Sequence, residues 1–156
     1  DTWFEGKVKY DKPQEDGTTK PVNEPYVVNA LSFTEAEAKI MEEVSAYISG
    51  AFEGTDIKKA KYGEGFFDDT DSAADKWYRA RVAFIFLDEK TAKEKKNKVP
   101  YLVQASCFTK AVENLNSVMS KNLGDYAIDT VSETNILDVF FGVGKNVTDE
   151  KPEYEQ

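Results

Sequence analysis

Hydrophobic and polar residues alternate at the start of the chain, a pattern typical of a strand with one buried face. Over residues 2 to 10, Phe4 and Val8 point one way, whereas Trp3 and Lys7 point the other. The following stretch, 11 to 24, contains Asp16-Gly17 and two prolines and is predicted to be a long turn-rich connection. A second strand is expected from Tyr26 to Phe33.

The same alternation returns in residues 76 to 87. Tyr78 and Val82 take the face that the helices are expected to cover, and the opposite face carries Trp77, Arg79 and Arg81. The run Ile85-Phe86-Leu87 extends this strand and predicts burial on both faces. The lysine-rich stretch 88 to 98 is predicted to be a charged, solvated connection before the next strand, 101 to 108.

Two stretches show the 3.6-residue spacing of amphipathic helices. In the first helix, Thr34 and Glu37 have the spacing of a capping box, and Gly50 is the predicted stop. In the second helix, Thr109 is the predicted cap. The predicted buried stripes are Ala36, Ile40, Val44 and Ile48 in the first helix, and Ala111, Leu115, Val118 and Met119 in the second.

The second half of the chain repeats the first at an offset of 74 or 75 residues. Trp3-Phe4 returns as Trp77-Tyr78, 25 to 34 returns as 100 to 109, and 52 to 67 lines up with 126 to 141. Both copies therefore end in Phe-Phe. Each copy reads as β-β-α-β, with its third extended segment at 52 to 62 or at 126 to 139.

These patterns predict an α+β fold made of two tandem β-β-α-β repeats related by a pseudo-twofold axis. The expected architecture is a two-layer sandwich of about six mainly antiparallel strands in a shared sheet, with both helices on one face. Residues 1–141 are predicted to form a single domain, with repeat one at 2–67 and repeat two at 76–141. Residues 142–156 are predicted to be a flexible acidic tail.

Charge and composition narrow the function. The net charge of −9 argues against a protein that coats DNA, although it is uneven: −8 over residues 1–74, +1 over 75–141 and −2 over the tail. The chain has no His, and its single Cys107 has no His partner, so we expect no enzyme activity and no cofactor. The acids Asp68, Asp69 and Asp71 lack the glycine and distal glutamate of a calcium loop, so no metal site is expected. No apolar run is long enough to cross a bilayer, and a single cysteine does not indicate an oxidising compartment.

The face opposite the predicted helices carries the first candidate site. It groups two tryptophans with cations: Trp3, Lys7, Trp77, Arg79 and Arg81. One hypothesis is that this half-apolar face binds a protein partner or a second copy of the chain. The alternative is a single-stranded nucleic acid or nucleotide, with bases stacked on the tryptophans and phosphates held by the cations.

A second candidate site is the cluster Lys58, Lys59 and Lys61, which has no lysine counterpart in repeat two. It is interpreted either as a binding site or as lysine protection of an edge strand against sheet joining. The lysines from Lys90 to Lys98 are interpreted as a solvated hairpin tip.

Several segments together resemble a known family. They are Thr2-Trp3-Phe4-Glu5 with Lys7-Val8, the stretch Leu31 to Ala38, the stretch Asp56 to Tyr62 with Phe66-Phe67, and Lys76-Trp77 with Leu87 to Lys90. The chain resembles, from about residue 2 to about residue 140, a family of short proteins with a domain of unknown function from anaerobic gut bacteria and their phages. The resemblance implies a cytoplasmic protein in a phage or mobile-element context. It implies no activity, cofactor or site residue.

Overall fold

The fold is taken from a computed structural model, which describes residues 2–121 and 124–140 and the backbone of 145–146. This part of the chain contains two helices and nine strands. The helices are α1 (Phe33–Val44) and α2 (Phe108–Met119). The strands are β1 (Thr2–Pro13), β2 (Thr19–Ala30), β3 (Phe52–Ala60), β4 (Gly65–Phe67), β5 (Lys76–Leu87), β6 (Glu94–Ala105), β7 (Asp125–Glu133), β8 (Asp138–Phe140) and β9 (Lys145–Asn146).

The chain divides into two compact units, of which unit 1 contains residues 2–61 and 135–140. Its sheet has the order β3-β1-β2-β8, in which β1 runs antiparallel to β2 and β3, and β8 runs parallel to β2. The buried stripe of α1 packs on the sheet face that carries Phe4 and Val8. The alternation of β1 therefore predicted the correct core face.

Unit 2 contains residues 62–121, 124–134 and 145–146. Its sheet has the order β7-β5-β6-β4-β9, again with an antiparallel centre and a parallel short strand, β4 beside β6. Helix α2 packs Ala111 against Tyr78, and Leu115 and Met119 against Val82 and its neighbours. The predicted helix-covered face of this strand is also confirmed.

The elements of the two halves correspond in order and length. Each half has two strands of 12 residues, a helix of 12, a strand of 9 and a strand of 3. The pairing register corresponds as well: Trp3 lies opposite Asn29, and Trp77 lies opposite Gln104. The sequence offset of 74 to 75 residues is thus also the offset between equivalent strand pairs.

The short strands β4 and β8 do not stay with the half of the chain that precedes them. Strand β4 follows β3 of unit 1 but pairs with β6 of unit 2, where Phe66 lies opposite Val103. Strand β8 follows β7 of unit 2 but pairs with β2 of unit 1, where Phe140 lies opposite Val28. The two halves therefore exchange equivalent strands reciprocally.

This arrangement corrects the predicted sheet. The α+β class is confirmed, but a shared sheet of about six strands with both helices on one face is wrong. The described residues form two sheets, each with its own helix. The short strand at 138–140 completes the sheet of β1 and β2, and the short strand at 65–67 completes the sheet of β5 and β6. The predicted tail, 142–156, lies outside the described residues except for β9, and Phe141 of the second Phe-Phe pair also lies outside them.

Element boundaries also differ from the expectations. The hairpin strands are longer than predicted, so the turns shrink to residues 14–18 and 88–93. The prolines are tolerated because Tyr10 is the last residue of β1 that pairs with β3, which leaves Pro13 in a two-stranded ribbon.

Both helices begin earlier than predicted. The cap of α1 is Ser32, whose hydroxyl accepts a hydrogen bond from the amide of Glu35 at 3.1 Å, while the Glu35 carboxylate accepts one from the amide of Leu31 at 3.0 Å. The capping box is therefore two residues ahead of Thr34. In α2 the cap position is Cys107, which makes no side-chain cap bond, rather than Thr109.

Candidate functional site

Both tryptophans are buried. Trp3 is 7% exposed and Trp77 is 1% exposed, and the Trp77 ring meets Phe67 edge-on at 5.1 Å between centroids. Their sheet faces also contain Val27 and Leu102, which are fully buried. Neither ring is therefore exposed on that face, because each ring lies among buried apolar side chains.

The cations on the same face of unit 2 remain accessible. Arg79 and Arg81 alternate with the helix-covered residues of β5 and are exposed. On β6, Lys98 lies opposite Ala83 and Lys96 lies opposite Ile85, so these two lysines continue along the same face. We call this set the basic face, defined by Arg79, Arg81, Lys96 and Lys98.

The basic face is only partly neutralised. Lys98 forms an ion pair with Asp129 at 3.3 Å, which crosses β5 next to the buried Ala83. Among the described residues, Arg81 and Lys96 form no ion pair. An exposed cation without such a partner keeps its charge available to an external anion.

Arg79 is positioned by an aromatic neighbour. Its Nη2 donates a hydrogen bond to the hydroxyl oxygen of Tyr62 at 2.9 Å, and its guanidinium lies 5.8 Å from the centre of the same ring. A guanidinium held over an aromatic ring loses little further side-chain freedom on binding a carboxylate or phosphate. Tyr62 thereby fixes one end of the basic face.

The far end of this face is apolar and exposed. Leu87 is 63% exposed and Phe86, on the other face, is 50% exposed, so the predicted burial of the Ile85-Phe86-Leu87 run on both faces is wrong. The reason is that Ile85 is the last residue of β5 that pairs with β7, and only β6 accompanies the strand beyond it. The β5–β6 hairpin as a whole, residues 76–105, carries eight cations and three acids.

The other predicted cations lie in unit 1. Lys58 and Lys59 are exposed on β3, the edge strand of its sheet, and Lys61 follows the end of that strand. Lys59 lies 5.9 Å from the centre of the Phe33 ring, and Lys58 is opposite Glu5 in the strand register. This placement fits the interpretation as edge-strand protection. Lys7 is half-buried on the central strand β1.

A buried polar cluster in unit 2 supports the helix. The Asn114 side-chain amide donates to the Asp68 carboxylate and to the Gln104 carbonyl oxygen, each at 3.0 Å, and Thr70 donates to Asp68. Burial alone would raise the pKa of Asp68, but the hydrogen bonds from Thr70 and Asn114, with Lys110 nearby, lower it below its usual value of 3.8. In unit 1 the equivalent helix position, Lys39, donates to the Asn29 carbonyl oxygen at 3.1 Å. Both contacts join a helix to its sheet, so the cluster is structural.

A shallow groove of about 270 Å³ lies in unit 1. It is lined by Lys9, Tyr10, Asp11, Pro21, Ala51, Phe52 and Glu53. The Tyr10 hydroxyl inside it already donates to Glu24, and burial first, with Glu24 beside it, raises the pKa of Tyr10. The groove therefore offers mixed charges, and its Tyr10 hydroxyl is already hydrogen-bonded within the chain.

The strand pattern of the sequence predicted Arg79 and Arg81 as site residues but did not predict Lys96 and Lys98. The spacing indicates this face, because Lys96, Lys98 and Leu102 are an even number of residues apart and side chains at such spacings lie on the same face of a strand. The high local charge instead suggested a solvated turn. The strand register, which places these lysines beside the arginine face, follows only from the length of the hairpin.

The fold and the site define an α+β protein in which each half of the chain contributes a short strand to the sheet of the other half, with a basic face on one hairpin. Residues 2–142 match the family described as "Domain of unknown function (DUF4494)", and the chain belongs to this family. Comparison with curated proteins found no match, and comparison with solved structures found none either.

Two further observations concern membranes and metals. Neither helix in the described part of the chain is long and apolar enough to span a membrane. Across the same residues, no three acidic or cysteine side chains are grouped so that they could hold a metal ion.

Proposed function

We propose that this protein is a non-enzymatic binding or adaptor protein that holds an acidic surface of a partner protein on its basic face. The observation that carries this proposal is the alignment of four exposed cations, Arg79, Arg81, Lys96 and Lys98, along one face of the β5–β6 hairpin. The equivalent hairpin of unit 1, residues 2–30, carries four lysines and five acids. Three of the four cations are therefore a property of one copy and are not required by the fold, since only Arg81 has a basic equivalent, Lys7.

The neighbours of the cations favour a protein partner. Leu87 is exposed on the same face and Phe86 lies next to it, so a partner meets apolar surface as well as charge. Arginine combined with apolar side chains is typical of protein interfaces. Burial of Trp3 and Trp77 removes the two largest stacking surfaces that a single-stranded nucleic acid would use.

A single-stranded nucleic acid or nucleotide is the second candidate. It is favoured by Arg79, which is held against Tyr62 and could combine a phosphate contact with stacking. The net charge of −9 repels oligothymidylate and poly-glutamate alike, so it does not distinguish the two candidates.

The proposal of a non-enzymatic role is supported by the absence of His from the sequence. The pKa shifts also have structural causes, namely burial of tyrosines and hydrogen bonds to carboxylates. We also propose a cytoplasmic location and an association with phages or mobile elements. The family resemblance is the sole support for these two points.

Fluorescence polarisation with labelled poly-glutamate and with a labelled single-stranded oligothymidylate tests both candidates on the full chain. We expect poly-glutamate to bind at low salt and to weaken as salt rises. The variant Arg79→Glu/Arg81→Glu should weaken binding by about tenfold or more, because each exposed ion pair contributes up to about 1 kcal/mol and 1.4 kcal/mol corresponds to tenfold.

The matched control is Lys90→Glu/Lys93→Glu, which changes the net charge equally but lies in the turn. This control should retain most of the binding. Equal losses in the two variants would show a response to net charge alone and would contradict the basic face as the site. Tighter binding of oligothymidylate than of poly-glutamate would favour a nucleic acid over an acidic protein partner. If neither probe binds, both candidate functions are overturned.

A further inference from the structure

The exchanged strands occupy two equivalent edge slots. In unit 1, β8 lies parallel to β2 along Tyr26, Val27 and Val28. In unit 2, β4 lies parallel to β6 along Leu102 and Val103. In each slot a phenylalanine of the exchanged strand stacks on a tyrosine of the receiving sheet: Phe140 on Tyr26 at 5.4 Å, and Phe66 on Tyr101 at 5.6 Å. Each slot therefore recognises the same feature, a short parallel strand with an inward phenylalanine.

The β8 slot is the one that can be vacated more easily. Strand β8 has β2 as its only neighbour in the sheet order, whereas β4 lies between β6 and β9. Only three residue pairs join β8 to β2, and one backbone hydrogen bond, from the Leu137 amide to the Pro25 carbonyl oxygen, lies just ahead of them. The segment 135–140 leaves unit 2 after Thr134, and β9 belongs to unit 2 again. Residues 135–140 therefore follow the second half of the chain in sequence but complete the sheet of the first half.

We propose that the slot on β2 also accepts β8 of a second copy of this chain, which gives a strand-exchanged dimer. The occupant is defined by the slot itself, since a second copy supplies the same strand, the same register and the same Phe140–Tyr26 stack. The exchange needs no new interface chemistry, because every contact of the closed chain is reproduced between copies. The inference is independent of the basic face.

Concentration decides between the closed chain and the dimer. A strand tethered by a short connection has an effective concentration in the millimolar range, so the closed monomer dominates in dilute solution. During refolding at high protein concentration, β8 of a neighbouring copy competes for the empty slot. The dimer then persists, because release requires both copies of β8 to leave their slots.

Single-cysteine copies test the exchanged strand directly. Val27 and Val139 are register partners across the β2–β8 pair. In a Cys107→Ser background, one copy carries Val27→Cys and another carries Val139→Cys. Neighbouring strands bring such a pair within disulfide reach. After the two copies are refolded together at high concentration under oxidising conditions, we expect a disulfide between the two kinds of copy. Each copy refolded alone should give little, because its cysteines are not register partners of one another.

Two further measurements settle a negative result. The double variant Val27→Cys/Val139→Cys in one chain should form its disulfide within the chain in dilute solution, which shows that the fold tolerates the cysteines. Light scattering of the Cys107→Ser chain, refolded over a range of concentrations, should show a dimer fraction that rises with concentration. A monomer at every concentration would overturn the proposal. So would a dimer that forms without the disulfide between Val27→Cys and Val139→Cys copies.

Discussion

Phe140 stacks on Tyr26 with 5.4 Å between ring centroids and 16° between ring planes, although the two residues belong to opposite ends of the chain. The contact joins strand β8, from the second half of the chain, to the sheet of the first half. Burial, followed by the nearby carboxylates of Glu24 and Asp138, raises the pKa of Tyr26 to about 12, so the ring stays neutral at physiological pH. The equivalent pair, Phe66 and Tyr101, makes the reverse connection at 5.6 Å.

Removal of either exchanged ring should destabilise the protein strongly. Phe140→Ala and Phe66→Ala each leave a cavity beside a tyrosine, and we expect each to lower the free energy of unfolding by about 3–5 kcal/mol. Urea denaturation followed by tryptophan fluorescence measures the loss. Phe86→Ala is the control, since Phe86 is 50% exposed and its removal should change stability by no more than about 0.5 kcal/mol. Equal effects at Phe140 and Phe86 would contradict the described packing.

The start of α1 can be located by mutation. Ser32→Ala removes the hydroxyl that accepts from the Glu35 amide and should cost about 1 kcal/mol. Thr34→Ala is the matched control, because Thr34 lies inside the helix and is exposed. Thermal or urea unfolding of the two variants distinguishes the capping positions. A larger loss for Thr34→Ala would restore the cap expected from the sequence.

The buried Asp68 should make the free energy of unfolding depend on pH in the acidic range. Because its pKa is lowered in the folded state, its carboxylate contributes stability above about pH 4, and this contribution is lost as pH falls through the folded pKa. Asp68→Asn should therefore be less stable than the parent at neutral pH, by about 1–3 kcal/mol. The difference should shrink in acid.

Urea unfolding of the parent and of Asp68→Asn across this pH range measures the difference. Glu89→Gln serves as the control, since Glu89 is an exposed carboxylate in the turn between β5 and β6. A gap between Asp68→Asn and the parent that does not change with pH would show that the charge of Asp68 is irrelevant to folding.

Gly63 lies where the segment before β4 approaches β6 closely. A Cβ atom there would be 2.6 Å from Val99 Cγ1 and 3.0 Å from Tyr101 Cε1, while the Gly63 amide donates to the Pro100 carbonyl oxygen at 2.8 Å. We expect Gly63→Ala to cost about 1–3 kcal/mol through overpacking. In a Val99→Ala background the same change should cost less, because the nearest clashing methyl is gone. Additive losses in this double-mutant cycle would argue against the close approach.

Local pattern was enough to predict which face of β1 and β5 packs on a helix and which helix residues pack there, except for Ile48, which follows the end of α1. Phe4 and Val8 alternate with polar residues, and Ala36 and Ile40 have helical spacing. Both patterns are local, because each strand or helix shows its buried side in its own sequence. The caps were displaced by two residues because Ser32 and Thr34 can both cap a helix, and the choice depends on which hydroxyl reaches a free amide.

Pairing partners could not be predicted in the same way. The sequence around Phe66 and Phe140 shows two short apolar strands, but nothing local states which sheet receives them. The burial of Trp3 and Trp77 could not be predicted for the same reason. Alternation tells which face of a strand carries a side chain, but whether other residues cover that face depends on the tertiary structure. Only the arginines of the basic face were predicted from the sequence. They lie in an alternating strand pattern, whereas Lys96 and Lys98 lie in a charged stretch that was predicted to be a solvated connection.

Cleavage of the folded chain between its halves tests the reciprocal exchange most directly. A protease site inserted between Ser72 and Ala73, in the connection from β4 to β5, allows the intact protein to be cut after folding. If each half contributes a strand to the other's sheet, the two fragments should remain a 1:1 complex by native mass spectrometry and size exclusion. They should separate only in denaturant, and at a lower concentration of it when Phe66→Ala and Phe140→Ala are both present. Fragments that separate in native buffer immediately after cleavage would contradict the exchange.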